Sequence, residues 1–434
     1  MPSKDSPTKP QFTYSSANCR SRTPSPSRPS KPPPDICSII NEQVHSNLSL
    51  DCANFDFAAH VQHRSYVMHD YFIGDFQGTA LLDEGVERLL PENFETAVPS
   101  PIDLVEILNT GKRGFGMFAR HDIPVQGLII VEHPVVITPY LVGLTIPLSD
   151  LYEELFNRLP PKLHQELMRL ANCKPPEEYS LFEGIVRTNA IGIQLDVPDV
   201  PHPELSTHRA IFLNTSRCNH RLVPAPIPLH LSRLNTSSPH SCSPNAKWEW
   251  DTTTFSLYLS AVRPIRAGEE ITIQYTSPLR PREERQATLH SLYSFTCSCP
   301  ACSLPSLLSI QKSDQIRTML DQLWATLPTF EEWCLDASMP SDMLIKAHIH
   351  ALTLIEQEGL QVLDRGKHVD AIAMCYGALE DAEMFRLWTE KVRDIKVRAN
   401  PKQAIVFSKW LSNPMAFPAW GWRRTFCGSS KSSR

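Results

Sequence analysis

The sequence predicts an α+β protein: a β-rich core of short strands, broken by a helical insert and followed by a helical C-terminal module. Three observations predict it. From about Pro101, β-branched clusters at Ile102–Leu108 and Gly127–Ile137 are separated by turn residues, and Ile271–Tyr275 alternates with the period of two that a half-buried strand requires. Between these, Leu148, Leu151, Tyr152, Leu155 and Leu159 recur at helical spacing, and Leu163, Leu167 and Leu170 continue it after Pro160-Pro161. Beyond Pro305 the pattern is helical throughout, with Ser313 as an N-cap ahead of Ile316, Leu320, Leu323 and Leu327, and a pair of helices from Ser341 to Leu387.

A chain of 434 residues is long enough for two or three compact units. Ser, Pro, Lys and Arg dominate the first 35 or so residues, a composition that buries too little apolar surface to offset ordering entropy, and residues 1–95 are expected to be a largely disordered arm. Residues 101–305 carry the β-rich core and 306–412 the helical module, a buttress or a partner-binding surface, while 413–434 show no period and stay unassigned. A net charge of -5 gives no global basic field, so direct nucleic-acid binding is not indicated. No stretch approaches the roughly 20 apolar residues of a membrane span, and MPSKDSPTKP lacks the apolar region of a signal peptide. Of the twelve cysteines, eight are scattered singly, which fits a reducing, intracellular compartment.

Four short segments carry chemistry. In Cys297-Ser298-Cys299-Pro300-Ala301-Cys302, three thiols in six residues converge on one ion only if the backbone curls around it. Structural zinc is tetrahedral and closed by four Cys or His side chains, so a fourth ligand must come from elsewhere, and Cys242 is the candidate. Gly268-Glu269-Glu270-Ile271-Thr272-Ile273-Gln274-Tyr275 reads as a turn feeding a short strand that ends in tyrosine; alone it is a weak motif, its tyrosine more often a packing residue. Gly111-Lys112-Arg113-Gly114-Phe115-Gly116 lets backbone approach a ligand, although an ordinary glycine-rich turn has the same composition, and it lacks the order of a dinucleotide fingerprint. Asn219-His220 and His240-Ser241-Cys242-Ser243-Pro244-Asn245-Ala246 are, taken separately, polar loops.

In this order, GKRGFGMFA, TSRCNH with HSCSPNA, GEEITIQY and YSFTCSCPAC resemble the SET-domain protein-lysine methyltransferases, especially the SET-and-MYND branch and its fungal relatives. The resemblance covers about residues 101–305 and implies a SET fold with a post-SET zinc site. It implies that Arg113, Gly114, Phe115 and Gly116 line an S-adenosylmethionine pocket, with Asn219 and His220 beneath the cofactor and Asn189 as a looser contact. Tyr293 and Phe295 would stack on the cofactor and frame a lysine channel, Tyr275 would be the catalytic tyrosine, and Cys242, Cys297, Cys299 and Cys302 would hold a structural Zn2+. The residue types suit that chemistry: a lysine amine with an unperturbed pKa of about 10.4 attacks only when an apolar, aromatic channel favours its neutral form. The implied substrates are proteins with an accessible lysine, histone tails among them, and the implied location is the nucleus, the cytoplasm or both.

The sequence departs from the family at two places. No run of paired cysteines marks a MYND finger, and the helical stretch from about Leu148 to Asn172 occupies its place, as in the fungal type. Arg221–His240 also separates Asn219-His220 from Ser241-Cys242, so either His220 or His240 fills the family position. Ser232-Arg233-Leu234-Asn235 offers a second register, although Ala210–Leu213 leading into Asn219 favours the first. Deleting the interruption leaves a seamless motif, which motivates the hypothesis that it is an untranslated segment; codons for it in the mature transcript would refute this. The interruption also keeps open a non-catalytic, SET-like interaction protein, separable from the enzyme by its affinity for S-adenosylmethionine.

Overall fold

A computed structural model describes residues 13–15, 64–110, 114–143, 147–195, 206–218, 242–399 and 401–429. The chain divides into two units: Met1–Thr236 with Ala246–Ile273 and Leu289–Thr296, and Ser237–Asn245 with Gln274–Thr288 and Cys297–Arg434.

In the first unit the chain runs through β1 (Thr13–Ser15), β2 (Ser65–Ile73), β3 (Phe76–Asp83), α1 (Glu84–Glu87), β4 (Val105–Asn109), β5 (Phe115–Ala119), β6 (Leu128–Glu132) and β7 (Val136–Pro139). It continues through α2 (Leu148–Asn157), α3 (Pro161–Leu167), α4 (Leu181–Asn189), β8 (Ile191–Gln194), β9 (Thr207–Ile211), β10 (Ala246–Asp251) and β11 (Ser256–Ala261). These strands make a six-stranded sheet in the order β1-β2-β3-β7-β9-β8, a three-stranded sheet β10-β11-β6 and the pair β4-β5. The fold is therefore the mixed α+β arrangement of short strands and many helices that the sequence implies.

The helical insert is where the sequence places it, and its apolar stripe explains why it folds. Leu151, Tyr152, Leu155 and Phe156 of α2, with Leu167 of α3 and Ile185 of α4, pack against Tyr66, Met68, Leu81, Val136 and Ile211 of the large sheet in one buried cluster. Arg158, just past α2, pins this layer to β2: its Nε and Nη2 donate to the two oxygens of Asp70 at 2.9 and 3.2 Å, a forked, charge-assisted pair.

One correction concerns the arm. Ser65–Asp83 is a two-stranded hairpin inside the main sheet, with β3 parallel to β7. The Ser/Pro-rich composition ends well before it, and Tyr66, Val67, Met68 and Tyr71 are buried. Its turn is Gly74-Asp75, and Gly74 takes a φ of +57° that glycine adopts without strain. Gly127–Ile137 supplies two of the short strands, in different sheets, because His133-Pro134 breaks the run. Ile271–Tyr275 forms no regular strand: Thr272 makes an isolated bridge, Glu270 just before it bridges Phe118, and Tyr275 lies in a bend.

After α5 (Arg282–Tyr293), the second unit contains α6 (Leu307–Thr326), α7 (Phe330–Leu335), α8 (Met343–Gln357), α9 (Arg365–Ala378), α10 (Ala382–Ala399), α11 (Pro401–Ser412) and α12 (Trp422–Ser429). Ser306, not Ser313, caps α6, in a reciprocal box with Ser309. Ser313 lies about two turns inside the helix and is buried, with its hydroxyl donating to Glu358 at 2.6 Å. Residues 413–429 of the tail are part of this unit: Phe417 and Ala419 pack with Phe385, and the Arg423 guanidinium lies 4.3 Å from the centre of the Trp333 ring. Among the described residues no helix is long and apolar enough to cross a membrane.

His208 on β9 gives the first unit a pH response. Burial pushes its imidazole down to about 4, with Arg64 adding to the effect and the Ser206 carbonyl opposing it. The fold holds it neutral while the unfolded chain protonates near 6.5, so its contribution is complete above that value and is lost as pH falls toward 4. The loss amounts to about 3 kcal/mol when the whole window is crossed. Urea unfolding followed between these two pH values should show this slope, and His208→Gln should flatten it.

Candidate functional site

Described parts of three segments singled out in the sequence meet, in the first unit, at β5. Gly114 opens the strand with a φ of +71°, and a Cβ there would meet nothing within 4 Å, so glycine serves the backbone conformation rather than a tight fit. Its carbonyl accepts from the Thr110 amide at 2.7 Å and the Thr110 hydroxyl at 2.8 Å, which ties the end of β4 to the start of β5. One edge of β5 pairs with β4. Along the other, the Ile271 amide donates to Met117 O at 2.8 Å and the Ala119 amide to Glu269 O at 2.9 Å. The Glu269–Ile271 part of the motif thus pairs with β5, and Thr272 O in turn accepts from the Ala246 amide at 3.1 Å, just past HSCSPN.

The segment that leads into Asn219-His220 meets the same strand. Cys218 is buried with its sulfur 3.7 Å from Met117 Sδ, and the Arg217 guanidinium stands 5.3 Å from the centre of the Phe115 ring. Burial pushes the Cys218 thiol well up, so it packs as a small neutral group. A 3-10 turn, Thr215–Arg217, delivers these residues, and Glu132 at the end of β6 fixes it. The Glu132 carboxylate accepts from the Asn214 amide (2.7 Å), Asn214 Nδ2 (3.2 Å), the Thr215 amide (2.9 Å) and the Thr215 hydroxyl (2.9 Å). Burial raises its pKa, and these four donors oppose the rise. Glu132 belongs to no periodic pattern; its one signal in the sequence is a carboxylate closing the otherwise apolar strand LIIVE.

Asn189 ends α4 beside this turn, where its main-chain carbonyl accepts from Ser216 Oγ at 2.9 Å. Its side-chain amide donates to Ala171 O at 2.6 Å and Ile185 O at 2.7 Å, which turns both donors toward the helical layer. Tyr293 and Phe295 have ring centres 6.4 Å apart. Burial, and then the nearby Cys173 and Tyr140, push the Tyr293 hydroxyl up to about 12, so it stays protonated. The insert holds this aromatic pair through a contact unforeseen in the sequence: Lys174 Nζ donates to Leu292 O at 2.5 Å and Ser294 Oγ to Cys173 O at 3.4 Å.

In the second unit Cys242, Cys297, Cys299 and Cys302 are all buried, and their sulfurs lie within 4.8 Å of one another. A tetrahedron with Zn–S bonds of 2.3 Å has S···S edges of about 3.8 Å, close to the 3.5 Å between Cys242 Sγ and Cys302 Sγ. The residues present therefore fit a zinc ion without rearrangement of the chain. The hairpin curls as the spacing requires, with the Cys302 and Ser303 amides both donating to Cys299 O at 2.9 and 2.7 Å. Gln286 of α5 clasps Cys297 through both main-chain groups, accepting from its amide at 2.8 Å and donating to its carbonyl at 2.5 Å.

Residues 114–276 match the family model described as "SET domain". This chain carries a SET domain. A relative named "Histone-lysine N-methyltransferase set5", from Schizosaccharomyces pombe, is 26% identical over 323 residues, 73% of this chain and 86% of that protein. "Protein-lysine N-trimethyltransferase SMYD5" of Gallus gallus is 44% identical over 75 residues, but these are only 18% of its length. "Histone-lysine N-methyltransferase SMYD3" of Mus musculus is 36% identical over 112 residues, 23% of its length. A solved SET domain, that of LSMT bound to lysine and AdoHcy, aligns with 77% of this chain at 11% identity, with a TM-score of 0.25 that is too low to carry the fold.

The SET match takes in Gly114, Phe115, Gly116, Asn189, Cys242 and Tyr275 and stops before Tyr293, Phe295 and the cysteine trio. The structure brings Gly114, Phe115 and Gly116 together with the approach to Asn219 and with the Glu269–Ile273 segment of the SET domain. Arg113, Asn219 and His220 themselves lie outside the described residues, as does the interruption Arg221–His240. Tyr275 is half-buried and belongs to the second unit, two residues along the chain from Ile273. Glu132→Gln keeps the shape of the clamp but turns an NH2 toward donors, and should cost the SET domain about 2–3 kcal/mol of stability in urea unfolding at neutral pH.

Proposed function

We propose that this chain is an S-adenosylmethionine-dependent protein-lysine N-methyltransferase. The observation that carries the reading is the meeting at β5, the strand that follows Gly114, of Arg217 and Cys218, which lead into Asn219-His220, and the Glu269–Ile271 segment, inside a region that matches the SET family. The relative matched over most of its length is named for histone-lysine methylation, which supports the same reaction class.

In this reading, main-chain groups of Arg113, Gly114, Phe115 and Gly116, with Asn189, Asn219 and His220, hold the methyl donor. When bound, S-adenosylmethionine supplies an electrophilic methyl carbon on a sulfonium. Tyr293 and Phe295 provide the aromatic walls that exclude water and favour the neutral amine of the incoming lysine, as a transfer with no strong base requires. Tyr275 orients the amine with its hydroxyl, so its contribution is alignment. Cys242, Cys297, Cys299 and Cys302 hold a structural zinc, a post-SET site that keeps the segment following Phe295 folded. The substrate is a protein with an accessible lysine, a histone tail being the leading candidate, and the setting is the nucleus or the cytoplasm.

Transfer of labelled methyl groups from S-adenosylmethionine to histones or to a protein extract should be detected with the full chain. Tyr275→Phe should lower the rate by about 100-fold while leaving cofactor affinity in calorimetry unchanged. An undiminished rate in that variant removes Tyr275 from the mechanism, and a wild-type chain without affinity for the cofactor overturns the function.

A further inference from the structure

Two guanidinium groups lie wholly inside the second unit beside the four thiols. The side chains of Arg285 and Arg317 are 0% exposed, although arginine is rarely buried without an anionic partner. Their acidic neighbours differ: Glu358, 15% exposed, stands 3.3 Å from Arg317 as an ion-pair partner, whereas Asp314, 24% exposed, is 3.9 Å from Arg285. Arg285 Nη2 instead points at sulfur, 3.8 Å from Cys302 Sγ, while its Nη1 donates to Arg280 O and its Nε has no partner among the described residues. Arg317 donates to Cys242 O at 3.2 Å and to Pro278 O. Arg282 adds a third grip, its Nε donating to Cys302 O at 2.6 Å.

These contacts divide into two kinds. Arg282, Arg317 and Gln286 hold the main chain of three ligand residues in place, whereas Arg285 reaches a ligand atom. Four thiolates around one dication leave two negative charges, and a buried centre of that charge requires compensation close by. We propose that Arg285 is the outer partner of this centre: its guanidinium donates to the Cys302 sulfur and, with Arg317, supplies the positive charge that lets a tetrathiolate ion be buried here. Arg285 is thus a positioning residue that acts through Cys302, and it sets how firmly the metal is held. The inference rests on the zinc reading above.

The test uses the full chain loaded with zinc, and with cobalt(II) as a spectroscopic substitute. In competition against a chromophoric chelator, Arg285→Gln should bind zinc about 10- to 100-fold more weakly than the wild type. Loss of a hydrogen bond to sulfur raises the energy of its lone pairs, so the sulfur-to-cobalt charge-transfer band should move to lower energy. A change in packing alone does not produce that shift. Arg285→Lys keeps the charge but not the fork, and should shift the band while losing less affinity. If the wild type binds neither metal, the zinc reading fails. If it binds zinc while Arg285→Gln matches it in affinity and band position, the role of Arg285 is overturned. Should the glutamine variant not fold, an unshifted band in Arg285→Lys overturns it equally.

Discussion

Both edges of a single five-residue strand, Phe115–Ala119, are hydrogen-bonded, and the first unit is organised by that constraint. β4 occupies one edge, and the other is taken by main chain from a segment about 150 residues further on, through Met117 and Ala119. A strand so short supplies few hydrogen bonds of its own. Its position is therefore set by side-chain contacts such as Met117 with Cys218, and by the carboxylate of Glu132 behind the turn that presents Cys218. Non-local closure of this kind brings together motifs that are far apart in the chain, and it is the common requirement of a pocket assembled from loops.

The two units stabilise themselves differently. The first buries a continuous apolar layer between the helical insert and the six-stranded sheet. The second divides its apolar contacts among several smaller clusters, such as Leu320 with Leu354 and Ile355, or Trp333 with Ile372, and adds a buried group of thiols and guanidiniums. Polar groups in such a place are costly unless each is satisfied, which is why Gln286 and Arg282 are committed to main-chain atoms of the cysteine residues.

What the sequence made legible follows from the range of the forces involved. The insert was readable because Leu151, Leu155 and Phe156 repeat at the helical period, a local property. The cysteine cluster was readable because three of its members are adjacent and the chemistry demands a fourth. Glu132, Lys174 and Arg285 were not, because each acts on a residue between 17 and 118 positions away and belongs to no periodic pattern. Ile271–Tyr275 alternates as a strand should, yet its partner strand β5 is too short and too fully used to extend a ladder. The tail escaped notice because Phe417 and Ala419 anchor it from a non-helical stretch, where no period exists to detect.

The β2–β3 hairpin lies ahead of the region whose motifs name the family, yet it is structurally inseparable from it. β3 runs beside β7, and Asp70 of β2 receives the fork from Arg158 at the end of α2. A fragment trimmed to begin near Pro101 would keep every recognisable motif and still leave β7 with a bare edge and one side of the insert's apolar layer open to water. Exposed edges and apolar faces of this sort pair with other chains. Inclusion bodies or soluble aggregates from such a fragment would therefore report a missing sheet neighbour, not an unsuitable catalytic domain.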